Sequence, residues 1–183
     1  EQMGGNYLLY VASDGKKGTD RVVWGGAEGP KFERIPTVTV VNRCPLYAGQ
    51  RGDEWTIMWD DEVTPRMHGI EITRLTHAEG KFLYQATEHC LKTFIVYGDT
   101  EYPVYSKIQV PWVDAEGRVR PEAPVVVNGK PFYAAERDGQ WRVVHGDDEG
   151  KLYDEIFSLM FDGTHIVYGA RRGRKLFRVT RRI

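Results

Sequence analysis

The stretch Phe132-Tyr133-Ala134-Ala135-Glu136-Arg137-Asp138-Gly139-Gln140-Trp141-Arg142-Val143-Val144-His145-Gly146-Asp147-Asp148-Glu149-Gly150-Lys151-Leu152-Tyr153-Asp154-Glu155-Ile156 decides the fold, because its parts return along the chain at a near-constant pitch. Its opening is a large apolar residue, a tyrosine and then small residues. That opening recurs at Leu9-Tyr10-Val11-Ala12, Leu46-Tyr47-Ala48-Gly49, Leu83-Tyr84-Gln85-Ala86 and Val167-Tyr168-Gly169-Ala170. The anchors Tyr10, Tyr47, Tyr84, Tyr133 and Tyr168 are spaced 37, 37, 49 and 35 residues apart. A period of this size marks a repeat architecture. Apolar or small residues on both faces predict that the anchor strand is buried on both sides.

The remaining parts recur with the anchor. A glycine-bearing turn follows it at Asp14-Gly15, Arg51-Gly52, Asp138-Gly139 and Arg172-Gly173, whereas the third copy has Glu88-His89-Cys90-Leu91 there. Then comes a strand rich in β-branched and aromatic residues: Arg21-Val22-Val23-Trp24, Trp55-Thr56-Ile57-Met58-Trp59, Phe94-Ile95-Val96-Tyr97, Trp141-Arg142-Val143-Val144 and Phe177-Arg178-Val179. A short segment ends in Ile35, Ile70, Ile108 and Ile156, which lie 25, 23, 24 and 23 residues after their tyrosines. One more apolar strand follows each Ile, at 36–41, 71–75, 109–113 and 157–161. About 40 residues per unit of three clear strands and a short fourth is the signature of a propeller blade. No segment carries an amphipathic helical period, which sets aside the helical repeats of similar length.

The expected fold is therefore all-β: a single domain over residues 1–183, a β-propeller of about five blades of three to four antiparallel strands each. The repeats run approximately 1–35, 36–70, 71–108, 109–156 and 157–183. Closure of five blades on themselves is favoured over a fragment of a longer propeller, because an open stack exposes strand edges. The pattern best seen from Lys130 to Ala170, with Phe161-Asp162-Gly163, resembles the WD-repeat-like β-propeller repeats of the TolB type. Ala78-Glu79-Gly80 and Ala115-Glu116-Gly117 are fainter echoes of the last motif, and Trp59-Asp60 is an isolated match to the eukaryotic signature. The resemblance implies an interaction module with a periplasmic or secreted location, although no signal peptide is visible in the chain.

Composition narrows the function. The chain has 25 basic and 26 acidic residues. Seven of the basic ones (Arg171, Arg172, Arg174, Lys175, Arg178, Arg181, Arg182) fall in 171–182 without an acid, leaving the rest of the chain at −8. Such a basic edge either attracts an acidic partner or guards an edge strand against aggregation. A nucleic-acid reader would spread basic residues and exposed aromatics over several blades, so nucleic acid is disfavoured as a partner. The pitch slips once, through an insertion at 114–129 carrying Arg118, Arg120 and Glu122. Inserted loops on a regular scaffold often bind, and the alternatives are a plain surface loop or a hairpin returning through Val125-Val126-Val127. No run of 18 apolar residues is present to span a membrane as a helix.

Motifs for catalysis, metal or cofactor are missing. Ser13, Ser106 and Ser158 lie outside any Gly-x-Ser-x-Gly. The histidines His68, His77, His89, His145 and His165 show no zinc-protease spacing, and no phosphate loop or EF-hand occurs. His145 occupies the repeat position of Trp24, Trp59 and Tyr97 and reads as an aromatic substitute. Cys44 and Cys90 sit at repeat positions about 20 Å or more apart, which predicts two free thiols. The expected function is non-catalytic binding of a protein or saccharide, without cofactor, at Arg118, Arg120, Glu122, Arg171, Arg172, Arg174 and Arg178. One alternative is a lectin-like propeller using the Trp24, Trp59, Tyr97, His145 series if these side chains are exposed. The other is a five-bladed glycosidase with Glu71, Asp114 and Asp162 as its carboxylates.

Overall fold

A computed structural model describes residues 8–59, 62–64, 67–68, 70–88, 92–110 and 125–183. The chain is all-β: among the described residues twenty strands form five antiparallel sheets, and there is no helix. The first sheet holds Leu9–Ala12, Arg21–Trp24 and Ala27–Glu28. The second holds Arg34–Val41, Cys44–Arg51, Glu54–Trp59 and Glu62–Val63, with Met67–His68 pairing further back on Glu54–Trp59. The third runs through Ile70–Ala78, Lys81–Glu88, Thr93–Tyr97 and Thr100–Glu101. In the fourth, Lys130–Arg137 is followed by Gln140–His145 and Asp148–Glu149. The fifth holds Glu155–Phe161, His165–Arg172 and Lys175–Arg182. Two compact units are distinguished, Glu1–Leu75 and Thr76–Ile183.

The repeat is visible in the register. Each anchor tyrosine faces the same place on the following strand: Tyr10 opposite Val23, Tyr47 opposite Met58, Tyr84 opposite Val96, Tyr133 opposite Val144 and Tyr168 opposite Val179. Four of these tyrosines are buried as expected, while Tyr10 is 46% exposed. That departure has a physical reason. The other buried anchors with a described joint are covered by an aromatic from the preceding connection, and no such connection precedes Tyr10 among the described residues.

Within each unit, consecutive sheets are joined by one recurring device. In the first unit Phe32 exchanges backbone hydrogen bonds with Asp20 of the first sheet (3.0 and 2.7 Å). The next residue, Glu33, donates its N–H to the Gln50 carbonyl of the second sheet at 2.8 Å. In the second unit Tyr105 exchanges bonds with Thr93 and Ser106 donates to the Glu136 carbonyl at 2.9 Å. Likewise Tyr153 exchanges bonds with Trp141, and Asp154 donates to the Arg171 carbonyl at 2.8 Å. The aromatic ring then meets the next anchor tyrosine edge-on: Phe32 with Tyr47 at 6.2 Å, Tyr105 with Tyr133 at 6.1 Å, Tyr153 with Tyr168 at 6.0 Å. Edge-to-face pairs add about 0.5–1.5 kcal/mol beyond the area they bury. The small residues after the anchor tyrosine make room, since a Cβ on Gly49 would drive into the Phe32 ring. Each joint seeds a core: Val22, Phe32 and Tyr47 in the first unit, and in the second the clusters around Tyr105 with Tyr133 and around Tyr153 with Tyr168.

Two expectations shift in position. The turns at Arg51-Gly52 and Arg172-Gly173 move one residue on: Arg51 pairs with Glu54 and Arg172 with Lys175, so the turns are Gly52-Asp53 and Gly173-Arg174. Gly173 has φ +58, which suits the first central position of a two-residue hairpin. The expected insertion 114–129 is shorter at its C-terminal end. Val125–Val127 forms a hairpin with Lys130–Arg137 through Asn128-Gly129, and Lys107–Gln109 pairs with the far end of that same strand. Two separate pieces, Lys107–Gln109 and Val125–Val127, thus pair with Lys130–Arg137 in the fourth sheet, and the sequence that lengthens the pitch falls between them. Residues 111–113, expected as strand, lie outside the described residues.

Truncating a buried anchor and the exposed one separates the joint from mere repetition. Tyr168→Ala is expected to cost about 3–5 kcal/mol of unfolding free energy. Tyr10→Ala should cost less than about 1 kcal/mol. Urea titrations of both variants check this, and equal losses would contradict the joint.

Candidate binding surface

The basic residues of 171–182 fall into two groups once the joints are drawn. Arg172 is a structural arginine: its guanidinium lies 5.3 Å from the Tyr153 ring centre, and its Nε donates to the Leu152 carbonyl at 3.1 Å. Arg51 does the same over Phe32 (4.6 Å), donating to the Lys31 carbonyl at 2.8 Å. Arg137 does so over Tyr105 (4.6 Å), donating to the Val104 carbonyl at 3.1 Å. Each arginine stands four residues after its anchor tyrosine, at the end of the anchor strand. It closes over the aromatic that enters from the connection. The corresponding sequence positions between the second and third sheets hold Met67 and Glu88 instead. Arg171 is also engaged, with Glu155 at 3.2 Å and Asp154 at 3.5 Å, and Arg181 pairs with Asp148 at 3.6 Å.

Arg174, Lys175, Arg178 and Arg182 form the second group. All four are exposed and make no ion pair among the described residues. Arg174 is at the tip of the Gly173-Arg174 turn, and the other three are on strand Lys175–Arg182, the outer strand of the fifth sheet. Between them Leu176 is 72% and Phe177 39% exposed. Of the residues expected to bind, Arg174 and Arg178 thus remain available on one edge, and Arg171 and Arg172 are committed to neighbours. Arg118, Arg120 and Glu122 lie outside the described residues, as does Asp114. Lys175, Leu176 and Phe177, on the same strand, are not among the residues expected to bind, because charge alone does not single out the apolar pair. The signal in the sequence is the apolar pair Leu176-Phe177 standing between Lys175 and Arg178 inside the basic run.

The candidates for chemistry are occupied by local structure. Glu71 pairs with Arg34 at 2.7 Å. Asp162 accepts the N–H groups of Thr164 at 2.9 Å and His165 at 2.7 Å. Those two backbone donors hold its carboxyl below the usual range. His165 Nδ1 lies 2.8 Å from the Thr164 hydroxyl within the same turn, so this Asp, Thr and His are one turn's capping set. His145 is buried with Nε2 2.8 Å from the Val127 carbonyl. It fills the aromatic position while satisfying its nitrogen on the neighbouring hairpin strand. Tyr97 is buried too, whereas Trp24 and Trp59 are half-buried, so the series presents no uniform exposed face for one sugar per sheet. Burial pushes the hydroxyls of Tyr133 and Tyr168 up, and that of Tyr84 to about 12, so none of them is a base near neutrality. No cluster of three metal-ligating residues occurs among the described residues. Cys44 is half-buried and forms no disulfide among the described residues, and Cys90 lies outside them. No described helix is long and apolar enough to cross a membrane.

The short fourth strands carry acid. Glu28 pairs with Arg21 at 2.9 Å in the first sheet. In the fourth, Glu149 pairs with Arg142 and accepts the Tyr105 hydroxyl at 2.6 Å. Comparison with known proteins finds no matching family model and no matching curated protein.

Two tests follow from this division. Arg137→Ala and Arg172→Ala should each lower stability by about 1 kcal/mol, from the lost ring contact and carbonyl bond. Arg174→Ala and Arg178→Ala should stay within about 0.5 kcal/mol of the parent. Thermal melts of the four variants decide between these outcomes. Glu136 supplies a pH test. Its carboxylate accepts the Gly139 N–H at 2.9 Å and the Ser106 hydroxyl at 3.1 Å, and pairs with Lys107 at 3.2 Å, which together hold its acid form off to lower pH. A depressed folded value stabilises above the unfolded carboxyl range, about pH 4.3, and the contribution disappears as pH falls through the folded value. Glu136→Gln should therefore lower the melting temperature at pH 7 and leave it nearly unchanged at pH 2–3.

Proposed function

We propose that the chain is a β-propeller of the WD-repeat-like, TolB type with about five blades, and that it is a non-catalytic scaffold that binds a protein partner through the basic edge of its fifth sheet. The observation that carries the reading is the sorting of the basic cluster. Where the repeat needs an arginine, Arg172 is spent on the joint. Arg174, Lys175, Arg178 and Arg182 have no such duty and stand exposed around Leu176 and Phe177. The exposed Leu176, on the strand face it shares with Arg178 and Arg182, gives an apolar centre with a charged rim, the make-up of a protein-binding patch.

The fold part of the proposal rests on the fivefold recurrence of the anchor register and the threefold recurrence of the aromatic joint. The non-catalytic part rests on Glu71 and Asp162 having structural duties.

The test is affinity capture with the wild-type chain and with Arg174→Glu/Lys175→Glu/Arg178→Glu, beside an assay on a panel of chromogenic glycosides. Partners retained by the wild type and lost by the variant, with no glycoside turnover, are expected. Identical partners for both proteins, or turnover that survives purification, would overturn the reading.

A further inference from the structure

Tyr133 is fully buried, and its hydroxyl has no hydrogen-bond partner among the described residues. A buried hydroxyl without a partner costs stability, so it calls for a physical account. One lies in the joint that Tyr133 shares with Tyr105. The two rings meet edge-on, with centroids 6.1 Å apart and planes at 73°. The rings of Tyr153 and Tyr168 meet in nearly the same way, at 6.0 Å and 77°, and there the two hydroxyls interact by hydrogen bonding. In the Tyr105 joint the hydroxyl is drawn off instead: it donates to Glu149 Oε1 at 2.6 Å.

Glu149 stands in one row with Tyr133 across the fourth sheet, because Tyr133 faces Val144 and Val144 faces Glu149. Residues paired directly across strands share a face of the sheet. The repeat supplies a comparison. In the second sheet Tyr47 faces Met58 and Met58 faces Val63, so Val63 holds the place of Glu149. The aromatic of that joint is Phe32, which has no hydroxyl to hold. A carboxylate occupies the place where the ring carries a hydroxyl, and a valine where it does not.

The groups around Glu149 come from several elements. Arg142, on the adjacent strand, pairs with it, and Arg137, at the end of the anchor strand, lies 3.5 Å away. Tyr105 reaches it from the connection between the sheets. Its neighbour Asp148 is turned to Arg181 of the fifth sheet, and Asp147 acts on the hydroxyls of Tyr102 and Tyr133. Burial opposes the charge on Glu149, but Tyr105, Arg142 and Arg137 outweigh it and hold its carboxyl below the ordinary range. A carboxyl depressed in the fold adds stability above its unfolded value, about pH 4.3, and loses it as pH falls through the folded value.

We infer that Glu149 is an acid-operated latch on the joint between the third and fourth sheets. Charged, it holds the Tyr105 hydroxyl away from Tyr133. On taking up a proton from solvent it becomes a weaker acceptor, because charge-assisted hydrogen bonds are roughly twice as strong as neutral ones. The Tyr105 hydroxyl then turns to that of Tyr133, the pairing that Tyr153 and Tyr168 already have. The latch is closed at neutral pH and opens below about pH 4.3. It is independent of the binding reading above.

Thermal melts of the whole protein at pH 7 test the exchange without acid. In the parent, Tyr133→Phe deletes an idle hydroxyl, so the melting temperature should stay or rise. Glu149→Gln and Glu149→Val remove the charge, and in either background Tyr133→Phe should lower the melting temperature by about 2 °C or more. An equal shift in the parent and in both backgrounds, or a loss already present in the parent, would overturn the latch. The Cζ resonance of Tyr133 in carbon-labelled protein reads the hydroxyl directly. At pH 7 it should be displaced in Glu149→Gln relative to the parent. In the parent it should hold still at neutral pH and move the same way below about pH 4.3, a movement that Tyr105→Phe abolishes. A resonance unchanged by Glu149→Gln, or one that follows pH alike with and without the Tyr105 hydroxyl, sinks the inference.

Discussion

An aromatic side chain laid edge-on against the tyrosine of the next sheet is the contact on which each compact unit depends. A three- or four-stranded sheet cannot bury its apolar face alone, so its stability comes from the neighbour it stacks on. Phe32, Tyr105 and Tyr153 supply that neighbour contact, and each is held on both sides by backbone. The aromatic residue is hydrogen-bonded to the sheet it leaves, and the following residue to the sheet it enters. The ring is therefore placed with little freedom left to lose, which is why a single edge-to-face contact can serve as the joint.

The joint also explains where the chain spends its small residues and its arginines. Gly49 has no Cβ because the Phe32 ring occupies that space. Arg51, Arg137 and Arg172 lie over the entering ring and cap the carbonyl just before it, so a charge at the sheet's rim is used for packing. The duty is local to each joint, and it sorts a run of like charges that composition alone presents as uniform. On strand Lys175–Arg182 the basic residues without this duty, Lys175, Arg178 and Arg182, are exposed and make no ion pair among the described residues.

The fold class was legible from residues 132–156 and their echoes. Tyrosine pitch, the small residues beside it, the terminal isoleucines and the alternation in the third strands are local properties, and strand formation and burial follow from them. The register of all five anchors agrees with that reading. The regularity also carried the arginine four residues after the tyrosine in three copies. At Arg51 and Arg172 the adjoining glycine drew the arginine into the turn, whereas the turn begins one residue later. His145 was legible as a stand-in for an aromatic, and the hairpin through Val125-Val126-Val127 as one alternative for the insertion, but the bond between His145 and Val127 depends on how that hairpin pairs.

By itself, then, the sequence determined the repeating strand unit, its anchor tyrosines and the concentration of positive charge at 171–182. Those are set by alternation and spacing within a few residues. Only the tertiary structure decided which of those charges are occupied, and why Tyr10 is exposed when the other anchors are buried. Each of these depends on what a residue meets across a sheet-to-sheet joint or beyond a strand's edge.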